Sequence, residues 1–98
     1  VKLWDVWLYG EEDLALPLAP PDEAQLSPFE GETAEAVVAQ VIEAELMATL
    51  EGMDPIRWAV AVRETGSGQP FRLLQGTAAL VFSVALGPIS EAVADWET

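Results

Sequence analysis

The sequence contains no cysteine and no histidine. Without cysteine there is no disulfide, thiolate zinc site or thiol redox chemistry. Without histidine the usual general base and the commonest transition-metal ligand are missing. Basic residues are scarce as well: four lysines and arginines stand against 17 acids, for a formal net charge of −13. A surface of that sign repels phosphates, so direct nucleic-acid binding is not expected. Residues 73–90 carry no charge, and about 18 apolar residues in a row would raise the question of a membrane span. Gln75, Gly76, Thr77, Ser83, Gly87 and Pro88 interrupt this run, so no membrane contact is expected. Near the N-terminus Lys2 is followed by Trp4 and then Asp5, with no long apolar stretch, so a signal peptide is not expected. A soluble, cytoplasmic protein is the expectation.

What is present is a large apolar fraction, 51% of 98 residues. That is enough for one hydrophobic core, and residues 1–98 read as a single acidic α+β domain. Disordered acidic chains lack such apolar content. The charge is unevenly placed. Residues 1–54 hold 13 acids and one base, Lys2, whereas residues 55–98 hold Glu64, Glu91, Asp95 and Glu97 against Arg57, Arg63 and Arg72. Adaptation to salt alone would spread the acids over the whole surface.

Alternation over residues 2–9 predicts a strand, with Trp4, Val6 and Leu8 turned inward and Leu3, Asp5, Trp7 and Tyr9 on the other face. Residues 14–18 alternate again and predict a short edge strand, since Pro17 has no amide hydrogen to donate. Residues 22–26 read as a helical turn, and Ser27-Pro28-Phe29-Glu30 has the form of a capping box. The main helix is predicted over residues 33–51, with Gly52 and Pro55 ending it. Its apolar stripe comprises Ala34, Val37, Val38, Val41, Ile42, Leu46 and Ala48. Glu45 falls inside that stripe. Either it sits at the helix edge or pairs with Arg57 or Arg63, or it is a buried carboxylate with a raised pKa.

Residues 56–62 alternate cleanly and, across the turn at residues 65–70, predict a hairpin with the segment that begins at Phe71. That segment reads as one long central strand through Leu86, buried on both faces and bent by a bulge at Gly76. After Gly87-Pro88, Ile89, Val93 and Trp96 stand at helical spacing and predict a short helix over residues 89–97. The predicted fold is a small, mainly antiparallel β-sheet with one long helix packed on one face and a short C-terminal helix.

Chemistry-bearing patterns are few. Glu11-Glu12-Asp13 and Asp22-Glu23 do not match a calcium loop, so no metal is expected. Ser27, Ser67, Ser83 and Ser90 have no histidine to activate them. Gly66-Ser67-Gly68 is too short for a phosphate loop, and no cofactor site is expected. No enzyme activity is expected. The candidate partner-binding groups are the acids Glu11, Glu12, Asp13, Asp22, Glu23, Glu30, Glu32, Glu35 and Glu43. Trp7 and Trp96 are candidate apolar anchors, because tryptophan is enriched at binding hot spots.

These features predict a binding protein that engages a basic, nucleic-acid-binding protein partner through a phosphate-like array of carboxylates. A short, very acidic chain without catalytic residues is the physical type of DNA-mimic inhibitors, including anti-restriction and phage anti-CRISPR proteins. An immunity protein or antitoxin against a basic nuclease would show the same balance. The alternative is a small structural or assembly subunit, of a phage particle or an oligomeric complex, that binds through apolar contacts. A homodimer stays open in either case.

Overall fold

The computed structural model describes residues 1–10, 14, 18–21, 25–50, 55–80, 82 and 84–92, apart from the side chains of Ser27 and residues 46–50. Six strands and one helix are found among them: β1 (Lys2–Leu8), β2 (Leu26–Gly31), α1 (Ala34–Leu50), β3 (Ile56–Glu64), β4 (Arg72–Leu80), β5 (Val84–Leu86) and β6 (Ser90–Glu91). They build an α+β fold, a curled antiparallel sheet shaped as a half-barrel with the helix on one face. The strand order is β2-β1-β3-β4-β5, and β6 also pairs with β4.

The period-two alternation of β1 and β3 sorts their side chains as expected. Trp4, Val6, Trp58, Val60 and Val62 join Leu74 and Ala78 beneath the helix, where Ala34, Val37, Val38, Val41 and Ile42 meet them. Each large apolar side chain fully buried here contributes roughly 1.5–3 kcal/mol relative to leaving it in water. Thr33 caps the helix: its Oγ1 accepts a hydrogen bond from the Ala36 amide at 3.2 Å. Glu35 in the first turn complements the positive end of the helix dipole.

The capping-box pattern at residues 27–30 starts no helix, and the main helix begins after it at Ala34, close to the expected Thr33. Leu26–Gly31 is a strand instead, antiparallel to β1. Trp4 pairs with Phe29 and Val6 with Leu26, so Ser27 and Pro28 stand opposite Asp5 alone. Such a two-against-one bulge on an edge strand accommodates the missing amide hydrogen of Pro28. The local capping pattern lost to pairing with β1, which also lets the Trp4 indole donate to the Gly31 carbonyl at 3.0 Å. The helical turn expected over residues 22–26 fails at Leu26, which opens β2, and residues 22–24 lie outside the described residues. So do Pro17 and most of the edge strand expected over residues 14–18.

The long strand expected through Leu86 is folded back on itself. β4 ends at Leu80, and β5 returns beside it with Leu80 opposite Val84 and Ala78 opposite Leu86. A continuous strand over residues 73–86 would run roughly 45 Å, beyond the helix that covers it, whereas the hairpin satisfies the second edge of β4 from nearby chain. Phe82, at this turn, is fully exposed rather than buried. β4 itself is central, with β3 on one side and β5 and β6 on the other.

No bulge interrupts the pairing of Gly76 with Trp58 on β3. The irregularity lies across from it: Leu86 pairs with Ala78 and Ser90 with Gln75, so residues 87–89 face only Gly76 and Thr77. Gly76 is a place of close approach, where a Cβ would come within 2.8 Å of the Trp58 ring and 2.9 Å of the Pro88 carbonyl oxygen. The helix expected over residues 89–97 is also corrected. Ser90–Glu91 is a strand, and the Ala92 amide still donates to the Leu73 carbonyl at 2.9 Å. The amide and carbonyl groups on that side of β4 need partners, and this requirement outweighs the helical spacing that begins at Ile89. Residues 93–97, Trp96 included, lie outside the described residues.

Candidate functional site

Three of the four basic side chains are taken up by acids of the sheet. Lys2 Nζ lies 4.0 Å from Glu64, Arg63 Nε 3.2 Å from Asp5, and Arg72 Nη2 2.7 Å from Glu91. The guanidinium of Arg72 is held above its ordinary pKa, chiefly by its hydrogen bond to Glu91; the charges of Glu91 and Glu35 add to this and burial opposes it. Arg57 is exposed at the start of β3.

The acids of β2 and α1 are disposed differently. Glu35, Glu43 and Glu45 all face solvent on the helix, and among the described residues no lysine or arginine forms an ion pair with them. Glu35 and Glu43 sit about 12 Å apart along the helix axis. Glu45, at the angular position of the buried stripe, is exposed, which rules out the buried-carboxylate reading. The cause is the end of the helix's cover: Val41 and Ile42 are fully buried, yet Glu43, Ala44 and Glu45 are all exposed. Neither Arg57 nor Arg63 reaches Glu45; Arg63 is engaged by Asp5.

The acids expected to share one face are divided. Glu32 lies in the turn between β2 and α1, its Oε1 3.8 Å from the Val1 amino group. Glu30 pairs with Leu3 in the sheet and so projects from the face opposite the helix. Its carbonyl accepts a 2.6 Å hydrogen bond from Gln40 Nε2, which ties β2 to the helix. Glu11, Glu12, Asp13, Asp22 and Glu23 lie outside the described residues. The acidic surface that is described is therefore the solvent side of α1, with Glu32 at its start.

Trp7 is half-buried on the second face of the sheet, packed with Leu14, Leu18 and Ala92 against a small cluster of Tyr9, Ala59, Ala61, Phe71 and Leu73. The Tyr9 hydroxyl donates to the Ala19 carbonyl at 2.5 Å, which brings the chain after Leu18 over this face. Trp7, expected as an apolar anchor, thus packs against another segment of the chain.

Asp5 was given no role by its sequence context, yet it is the buried charge among the described residues. It accepts from Arg63 Nε at 3.2 Å and from the Thr65 hydroxyl at 2.8 Å. The Arg63 guanidinium also lies 4.3 Å from the centre of the Phe71 ring. Asp5, Arg63 and Phe71 come from β1, β3 and the start of β4, so the group closes one end of the sheet. The one sequence signal for it was a charge alternating with Leu3 and Trp7 on a face that also had to be covered.

Among the described residues no group of three or more acidic side chains converges as a metal site. No helix among them is long and apolar enough to cross a membrane. No protein-family model, curated protein or solved structure matches the chain.

Proposed function

We propose that this protein is a non-catalytic binding module that engages a basic, nucleic-acid-binding protein by presenting carboxylates in place of phosphates. What supports this is the separation of charge. Lys2, Arg63 and Arg72 each face an acid of the sheet, while Glu35 and Glu43 lie on the exposed side of α1 and Glu45 is exposed beyond the end of its buried stripe. The helix fixes their spacing, and a field of predominantly one sign speeds encounter with an oppositely charged partner. The setting that goes with this is cytoplasmic, without direct binding of nucleic acid or membrane. The physical type is that of DNA-mimic inhibitors such as anti-CRISPR or anti-restriction proteins, with an immunity protein or antitoxin as the variant in which the partner is a basic nuclease.

The test is a titration against a panel of purified basic DNA- and RNA-binding proteins at two salt concentrations. Because an exposed ion pair is worth about 0–1 kcal/mol, single reversals should change affinity by no more than about fivefold. The combined variant Glu35→Lys, Glu43→Lys, Glu45→Lys should abolish binding while circular dichroism shows an intact fold. Duplex DNA should compete with the protein for the partner, and high salt should release it. A parallel variant reversing Glu11, Glu12 and Asp13 asks whether those acids extend the same surface. Fully exposed Phe82 and half-exposed Leu3 favour one second reading, an assembly subunit or homodimer formed through apolar contacts. That reading wins if binding persists in high salt, the triple reversal is neutral, and Phe82→Ala or Trp7→Ala removes it.

A further inference from the structure

We draw no further inference here: the strongest candidate, the uncharged tip of the β4–β5 hairpin, where Phe82 stands fully exposed beside half-buried Leu80 and Val84, is an apolar surface patch, and nothing in the structure shows what covers it.

Discussion

The two faces of the sheet are both buried, by opposite means. Beneath α1 the strands offer large side chains, Trp4, Val6, Trp58, Val60, Val62 and Leu74, which interlock with the valines and isoleucine of the helix. On the other face β3 offers only Ala59 and Ala61, at 1% and 0% exposure, under Tyr9, Phe71 and Leu73. A helix packs well clear of a sheet, so the space between must be filled by long side chains. The alanine floor instead lets aromatic rings from neighbouring strands lie close over it. That second layer is the smaller of the two clusters, and a polar tie, Asp5 with Arg63 and Thr65, adjoins it. Stability should therefore respond to lost volume on the helix side and to a lost charge partner on the other.

The largest effect is expected from Trp58→Ala, which empties a side chain only 2% exposed. Denaturant melts should show a loss of about 3–5 kcal/mol. A loss under about 1 kcal/mol would mean that the helix does not rest on this face and would break the contrast. Gly76→Ala probes the same face by adding volume. The new Cβ meets the Trp58 ring and the Pro88 carbonyl, so overpacking should cost about 1–3 kcal/mol. A neutral result would show that the strand carrying residues 87–89 yields freely.

On the opposite face Asp5→Ala removes the acceptor of Arg63 and Thr65. The expected loss is about 1–2 kcal/mol, kept modest because Arg63, with its side chain 32% exposed, recovers water. Combining Asp5→Ala with Arg63→Ala in a double-mutant cycle should reveal coupling between the two. Strict additivity would reduce the polar tie to an incidental contact. The smallest effect belongs to Phe82→Ala, at a site 100% exposed on neither packed face. Its unfolding free energy should stay within about 0.5 kcal/mol of the parent. A loss of several kcal/mol would place Phe82 in a core or interface and overturn the hairpin geometry.

Much of this architecture was legible in the residues. β1, α1, β3 and the β3–β4 hairpin follow from period and turn composition, because each element had a face whose burial only one conformation achieves. The turn at residues 65–70 is an example, with Gly66 and Gly68 at φ of 77° and 72°, conformations that favour glycine. The uneven distribution of acids was equally plain, and it nominated the surface on which the functional proposal rests. Less of the candidate site itself was legible. Glu30 and Glu35 are five residues apart in the chain and project from opposite sides of the sheet, since one lies in a strand and the other on the helix above it.

What the sequence by itself determined was the fold class, the helix, the central place of the strand after Phe71 and the sign of the surface. These rest on local periodicity and on charge, which each segment carries with it. What only the tertiary structure decided was how unpaired backbone would find partners. Residues 26–31 look like a helix start in isolation and become a strand because β1 offers an edge. Residues 73–86 look like one strand and become a hairpin, and residues 90–91 extend along β4 rather than coil. In each case hydrogen-bonding groups at a sheet edge require a partner, and that demand exists only once the neighbouring strand is in place.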